Sequence, residues 1–298
     1  MLEYPRNDRE MALVTDFTTD ELICVCIARQ IEDGEVVVQG MATPLVMAGY
    51  LLAKHTHAPN LQFASAISAA LVSEPAPIGL TRAEALWLER ARMRLGFAEV
   101  ACELLPRLRP KEFFRPAQVD PYGNFNNVVI GSDYRHPRFR LPGCGGIADV
   151  TTFSDRVYLY VPRHSRAVFV ERLDFLSGLG HHPARRRGAG PRYLVSNLGQ
   201  FDFAEGRMRL TSLHPGVTLE KVQARTGFPL QVAPDLRETV PPTEEEIRLL
   251  REVIDPLGIR RLETASGSQR KRILREILMA EARLSGMWTV ERGCVPGA

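Results

Sequence analysis

Two glycine-containing turns carry the residues of this sequence that are best suited to binding a negatively charged group. The first turn, Gly40 to Thr43, follows the β-branched run 35–39 and precedes Pro44, which suits the first turn of a helix. We therefore expect it between a parallel strand and a helix N-terminus, where free amides and the helix dipole attract anions. A carboxylate or a phosphate is the candidate ligand of Gly40 and Thr43. A simple, well-capped strand-to-helix turn is the alternative interpretation.

The second turn is Gly143-Cys-Gly-Gly146, which has no bulky side chain at three of its four positions. Glycine lets backbone N–H groups approach a ligand closely, and fixed N–H donors stabilise the oxyanion that forms when a carbonyl carbon is attacked. Gly145 and Gly146 are the candidate oxyanion donors, and Gly143 is a candidate binding residue. A tight loop required by packing is the alternative. We expect Cys144 to be a small buried thiol, because no histidine is placed in the sequence to activate it.

A third polar turn contains Asn124 and Asn126 on either side of Phe125. Asparagine tolerates left-handed backbone geometry and bonds to its own chain, so a structural turn is one interpretation. Their side chains can also orient an acyl group, and the sequence does not separate these two roles.

Alternating helix and strand patterns place these turns in an α/β fold, with an open, mostly parallel sheet and helices on both faces. Capping boxes at Thr18 and Thr243 begin two helices. The helix that Thr43 begins runs to about Lys54 and is apolar on almost every side, so we expect it between layers. Strands are predicted at 35–39, 61–66, 117–119, 156–161, 167–171 and 193–196.

Another capping box, Thr81 with Glu84, predicts one long helix that continues to about Leu105. A shorter helix is predicted from Thr218 to about Arg225. We expect one open-sheet domain over residues 1–262 and a C-terminal extension over 263–298. The extension contains a basic amphipathic helix, 269–284, that packs on a partner or on the body of its own chain.

The composition excludes several classes of protein. Hydrophobic residues make up 45% and charged residues 24%, and the net charge of +3 comes from 38 basic and 35 acidic residues. A nucleic-acid-binding protein would normally be more strongly basic, and no apolar run is long enough to cross a membrane. The five cysteines include no CxxC pair, which argues against a disulfide framework or a structural zinc site. Reduced thiols and the charged N-terminal segment predict a cytoplasmic protein.

Three stretches of the sequence, in this order, resemble the β subunit of a family I coenzyme A transferase of the glutaconate type. They are residues 40–60 (GMATP through AKHTHAPN), residues 119–131 (VDPYGNFNN followed by VIG) and residues 140–149 (RLPGCGGIAD). The similarity of pattern covers roughly residues 14–262.

The resemblance implies a CoA-transferase fold and a cytoplasmic assembly with an α subunit, as an α2β2 heterotetramer with the active site at the subunit boundary. It implies an acyl-CoA thioester as the substrate and no metal or redox cofactor. The implied substrate-binding residues are Gly40, Thr43, Asn124, Asn126, Gly143 and Asp149.

The sequence departs from the family at the residue expected to do covalent chemistry. In the family, a glutamate at the end of a β-subunit strand attacks the donor thioester and forms a glutamyl-CoA intermediate. Aligned from residues 58–60, that glutamate would fall at or next to Ala66, and no acidic residue occurs between Asn60 and Glu74. An alanine methyl group cannot form an anhydride, so transfer by this route is in doubt.

Three functions therefore remain open. The first is CoA transfer between carboxylic acids. The second is hydrolysis with an acid from the α subunit. It would cleave either the acyl-CoA thioester or a carbon–carbon bond of a cyclic CoA thioester, and ring opening is the reaction of the glutamate-deficient relatives in bacterial steroid-ring catabolism. The third is a binding or structural role beside a catalytic α subunit.

Overall fold

The computed structural model describes residues 13–40, 43–65, 70–74, 76–81 and 88–284. Its strands are β1 (Val36–Gln39), β2 (Gln62–Ser65), β3 (Ala70–Val72), β4 (Met93–Arg94), β5 (Glu112–Phe114), β6 (Gln118–Val119), β7 (Phe125–Asn126), β8 (Val129–Ile130), β9 (Phe139–Arg140), β10 (Val157–Val161), β11 (Tyr193–Ser196), β12 (Gly199–Ala204), β13 (Arg207–Leu213) and β14 (Gln231–Glu238).

The helices alternate with these strands along the chain. They are α1 (Thr19–Ala28), α2 (Pro44–His55), α3 (Phe97–Glu99, continued by the π-helical turn Val100–Leu104 and by Leu105–Leu108), α4 (Ile147–Phe153), α5 (Leu219–Arg225), α6 (Glu244–Arg248, continued by the π-helical turn Leu249–Ile254), α7 (Arg261–Thr264) and α8 (Gly267–Leu284).

The strands form two sheets that are joined side by side. The first has the order β1-β2-β3-β4 and the second has the order β14-β13-β12-β11-β10-β5. A parallel bridge between Val37 and Lys111 joins β1 to the start of β5, and the amide of Val38 donates to the carbonyl of Lys111 at 3.0 Å. The central strands β2, β1, β5, β10 and β11 are parallel, whereas β3, β4 and β12 pair antiparallel with their neighbours. Strand β13 pairs antiparallel with β12 and parallel with β14. The α/β fold predicted from the sequence is confirmed, as a mixed sheet with a parallel centre.

Both faces of the central strands are buried, which explains why their sequences are continuously apolar. Along β10, Tyr158 and Tyr160 pack with α1 and α2 on one face. Val157, Leu159 and Val161 point to the opposite face, where they pack with residues of α5 and β12. The helices α1 and α2 are buried on almost every side, as the sequence predicted for α2.

Local capping signals locate several helices correctly. The amide of Thr18 donates to the carboxylate of Glu21 at 2.8 Å at the start of α1, and Thr243 with Glu246 forms the same reciprocal pair at the start of α6. The capping box at Thr81 falls partly on residues 82–87, which lie outside the described residues.

The long helix expected to reach Leu105 is wrong. The chain forms β4 instead, which pairs antiparallel with β3, and the amide of Arg92 donates to the carbonyl of Leu71 at 2.9 Å. Pairing with a distant strand therefore overrides the local helical pattern. The strand expected at 167–171 is also wrong, because only a single bridge between Val119 and Phe169 forms there.

The C-terminal helix α8 packs on its own chain. Ile273 and Ile277 join Ile259 and Leu262 in a small apolar cluster. The carboxylate of Glu281 accepts hydrogen bonds from the amides of residues 80 and 81 at 2.6 and 2.9 Å. Of the two packing surfaces expected for this helix, it uses the body of the same subunit, and the domain boundary at 262 stays a prediction. In the described ranges, no helix combines the length and the apolar character needed to span a membrane.

Candidate functional site

The turn that begins at Gly40 lies where the sequence predicted, between β1 and α2. Thr43 occupies the N-cap position of α2, but its hydroxyl makes no hydrogen bond with the described residues although the oxygen is buried. The helix is capped instead by Glu263, whose carboxylate accepts a hydrogen bond from the amide of Leu45 at 2.9 Å. A negative charge at a helix N-terminus is favourable. Part of the anion-binding capacity expected of this helix is therefore used inside the protein, whereas the Thr43 hydroxyl stays unpaired.

Glu263 is the centre of a buried polar network. Besides the amide of Leu45, its carboxylate accepts hydrogen bonds from Arg115 at 3.0 Å and from the Tyr160 hydroxyl at 2.9 Å. Burial raises the pKa of Glu263, and the Arg115 guanidinium opposes that shift. The group is fully satisfied by its own chain, so we assign it a structural role in holding α2.

The same network continues to the second glycine turn. The side chain of Asn127 donates to the carbonyl of Arg115 at 3.1 Å, and the carbonyl of Asn127 accepts from the amide of Gly143 at 2.9 Å. Only a few hydrogen-bonded residues therefore connect the N-terminus of α2 with the glycine turn. The two predicted loops are parts of one hydrogen-bonded region.

The glycine turn presents two unused backbone donors. Gly143 and Gly145 adopt positive φ angles of 106° and 48°, and Gly146 is the N-cap residue of α4. The amide of Gly143 is already bonded, whereas those of Gly145 and Gly146 donate to no group in the described part of the chain. No atom lies within 4 Å of the position that a Cβ would take at any of these three glycines. Gly145 and Gly146 are thus available as donors, and the Gly143 amide is not. Cys144 is partly exposed rather than buried, so the expectation of a buried thiol is wrong.

Asn124 and Asn126 brace their own loop. Asn124 is buried, donates to Asp120 at 2.9 Å and accepts from the amide of Gly180 at 2.8 Å. Asn126 has no exposed surface; it donates to Gln118 at 2.8 Å and accepts from the amide of residue 128 at 2.9 Å. Of the two roles left open by the sequence, these contacts supply the structural one.

Asp149 lies apart from these internal contacts. It is exposed in the first turn of α4, and its carboxylate makes no hydrogen bond or ion pair with any described residue.

Ala66, at or next to which the family's glutamate is expected, lies outside the described residues. Strand β2 is described up to Ser65, which is buried and pairs with Gln39 at the end of β1. The chain position expected for the nucleophile therefore directly follows a residue that is level with Gln39, next to Gly40.

An acidic residue that the sequence analysis missed lies beside Gly40. Glu112 is the first residue of β5, the strand adjacent to β1, and its Oε1 lies 3.9 Å from the position that a Cβ of Gly40 would occupy. Its carboxyl group has no hydrogen-bond or ion-pair partner among the described residues. Burial raises the pKa of Glu112 from 4.5 to about 8. The available signal was a single acid inside an apolar strand, directly before Phe113 and Phe114.

These groups lie outside the two best-formed cavities of the described chain. The two cavities, of about 300 and 380 Å³, are lined by residues of the α1–α6 region and by residues around 223–230, and neither includes Gly40 or the glycine turn. Gly145 and Gly146 are exposed. Among the described residues, no cluster of three or more His, Cys, Asp or Glu side chains is arranged to hold a metal.

The fold and the site define an α/β protein with unused backbone N–H donors and an unpaired carboxyl group near the ends of adjacent parallel strands. This combination suits the binding of an acyl or anionic group, since Gly40 follows the carboxyl end of β1 and such sheets bind ligands outside the carboxyl ends of their parallel strands.

The chain belongs to the coenzyme A transferase family, whose model matches residues 21–225. It is 32% identical to the B-subunit of glutaconate CoA-transferase from Acidaminococcus fermentans, over 83% of this chain and 96% of that protein. It is 33% identical to the cholesterol ring-cleaving hydrolase IpdB subunit of Mycobacterium tuberculosis, over 84% of this chain and 99% of that one. The crystal structure of the decarboxylase AibA/AibB matches 84% of this chain and 100% of its own, with 30% identity and a TM-score of 0.73.

Proposed function

We propose that this chain is the β subunit of a heteromeric enzyme that acts on acyl-CoA thioesters together with an α-type partner, in an α2β2 assembly. The observation that carries the proposal is the family match combined with two unused backbone donors at Gly145 and Gly146. Attack on a thioester carbonyl places negative charge on its oxygen, and two fixed N–H groups stabilise that charge. The openness of the glycine turn in the single chain fits a site that a partner subunit completes.

Hydrolysis of the thioester is the reaction that we favour. Double displacement requires a carboxylate at the nucleophile position, which we place at or next to Ala66, and no acidic residue occurs between Asn60 and Glu74. Water can attack the same carbonyl without a covalent intermediate on this chain. The similarity to a ring-cleaving hydrolase subunit supports a reaction with water in this family.

CoA transfer between carboxylic acids is the second candidate. The similarity to the B-subunit of glutaconate CoA-transferase, which extends over 96% of that protein, favours it. Transfer would require a carboxylate elsewhere in the assembly to carry the CoA. The proposal includes a cytoplasmic location, supported by the reduced-thiol pattern of the cysteines. It includes no metal or redox cofactor, and the CoA thioester is the substrate.

One experiment tests the function and separates the two reactions. The chain is co-expressed with an α-type partner, and the purified assembly is incubated with a panel of acyl-CoA thioesters in water enriched in oxygen-18. Hydrolysis predicts release of CoA without an acceptor acid and one solvent oxygen in the product. Transfer predicts CoA release only with an acceptor acid, and inactivation by borohydride in the presence of acyl-CoA. No turnover of any thioester in the panel would contradict both.

A further inference from the structure

Glu112 is a partly buried acidic residue that the structure leaves without an internal role. Two other buried acids are engaged: Glu263 caps α2 and binds Arg115, and Glu35 forms ion pairs with Lys111 and Arg156 at 2.7 and 3.2 Å. The Glu112 side chain makes no such contact with the described residues, whereas its backbone amide donates to the carbonyl of Arg156. Partial burial of a carboxyl group without partners carries a desolvation cost. Such a group is more common at functional sites than in purely structural positions.

Glu112 belongs to the strand on one side of β1, and the chain position expected for the family's nucleophile follows the strand on the other side. Strand β1 lies between β5 and β2, and the glycine that follows β1 leaves space where another residue would have a side chain. The Glu112 carboxyl reaches the edge of that space, 3.9 Å from the missing Cβ of Gly40. On the other side of β1, β2 runs to Ser65, and the next residue in the chain is Ala66. The Glu112 carboxyl group from one neighbouring strand thus lies beside Gly40, and the other neighbouring strand is described up to Ser65, level with Gln39.

Among the described residues, no charged group near Glu112 is free to neutralise it. Lys111 points to the opposite face and is held by Glu35. Arg115 is paired with Glu263. On the α2 side lies Tyr50, whose hydroxyl oxygen accepts a hydrogen bond from the backbone amide of Phe113 at 3.3 Å. The carboxyl therefore keeps both oxygens available for a ligand.

We infer that Glu112 is the general base of the site and takes a proton from the water that attacks the acyl carbon of the bound thioester. This inference rests on the proposed hydrolysis. The water oxygen forms a bond to the acyl carbon, its proton moves to the Glu112 carboxylate, and the carbonyl electron pair moves onto the carbonyl oxygen. When that pair returns, the carbon–sulfur bond breaks and the proton on Glu112 passes to the departing sulfur. The products are a carboxylic acid and CoA thiol, and Glu112 is regenerated.

The test uses the assembly of this chain with its α partner and measures CoA release with a thiol reagent. Glu112→Gln keeps the shape of the side chain but cannot accept the proton, and we expect kcat to fall by about 100-fold to 10,000-fold. Glu112→Asp should retain part of the activity. The matched control is Glu103→Gln, because Glu103 is mostly exposed on α3, where it pairs with Arg107; its rate should stay within about twofold of the unaltered enzyme, as expected for a surface substitution.

The pH profile gives a readout that a structural role would not produce. Only the ionised carboxyl accepts a proton, so the rate of the unaltered enzyme should rise with pH up to about 8. This rise should be absent from the residual activity of Glu112→Gln. A Glu112→Gln enzyme with more than half of the normal rate, or with an unchanged pH profile, would overturn the inference and leave the proposed function intact. Absence of thioester cleavage by the unaltered assembly would instead overturn the proposed function.

Discussion

Glu112→Gln is expected to stabilise the fold while it removes activity. The pKa of this carboxyl rises from 4.5 to about 8 on folding because burial disfavours the ionised form. Below about pH 4.5 the carboxyl is protonated in both the folded and the unfolded chain, and its ionisation does not reduce stability. As the pH rises from about 4.5 through about 8, the free energy of unfolding falls, because the unfolded chain ionises more easily than the folded one. Near pH 7 this loss in the free energy of unfolding amounts to about 3 kcal/mol, at 1.36 kcal/mol per pH unit. Because the side chain keeps partial contact with solvent, we expect the measured loss in the free energy of unfolding to be about 1–2 kcal/mol.

Urea unfolding followed by circular dichroism measures this effect as a function of pH. The free energy of unfolding of Glu112→Gln should match that of the unaltered chain near pH 4.5. It should exceed that value by an amount that grows toward pH 8. Glu103→Gln is the control, since Glu103 is exposed and its substitution should change stability by less than about 0.5 kcal/mol at any pH. A Glu112→Gln chain that is equally stable or less stable at every pH would show that the carboxyl is not held in an unfavourable buried position.

Three further predictions concern other parts of the chain. Arg260 is buried and forms ion pairs with three carboxylates, so Arg260→Met should cost about 3–5 kcal/mol in urea unfolding, because the carboxylates lose their partner. The exposed Arg261→Met is the control, and equal losses in both variants would refute this assignment. Burial lowers the pKa of His164 to about 3 and that of His214 to about 4. The free energy of unfolding should therefore fall by roughly 2–3 kcal/mol per pH unit as the pH drops from about 6.5 toward 4. A free energy of unfolding that does not change over this pH range would contradict the prediction. Gly146→Pro removes a backbone donor and should lower the rate of CoA release about 100-fold or more. Gly146→Ala keeps the N–H and places its Cβ in open space, so it should stay near the normal rate. Equal losses in these two variants would indicate that the shape of the loop, rather than the donor, is required.

The parts of the fold that the sequence predicted correctly depend on short-range signals. The capping boxes at Thr18 and Thr243 form as expected because both partners lie within one helical turn. The predicted helix through Leu105 failed because the pairing of β4 with β3 is a contact between segments distant in the sequence. The strand predicted at 167–171 failed in a similar way, since the segment forms only a single-residue bridge, between Phe169 and Val119.

The features of the candidate site also separate into those that local sequence indicates and those that depend on distant contacts. The two glycine turns and the family resemblance were readable from residue types in order, and the backbone geometry at Gly145 and Gly146 agrees with them. The binding capacity of the Gly40 turn was overestimated, because Glu263, which caps α2, is more than 200 residues away along the chain. Glu112 was missed for the same reason: nothing local indicates which strand will lie beside it.

By itself, the sequence determined the α/β class and the family, and it predicted the loss of a carboxylate at or next to Ala66, because these follow from the order and type of residues along the chain. Only the tertiary structure decided that β5 lies next to β1, and that this pairing carries an unpaired acid to the space beside Gly40. Strand adjacency depends on packing of the whole sheet between its two helical layers, so the proximity of two residues from distant segments is a property of the fold and not of any local pattern.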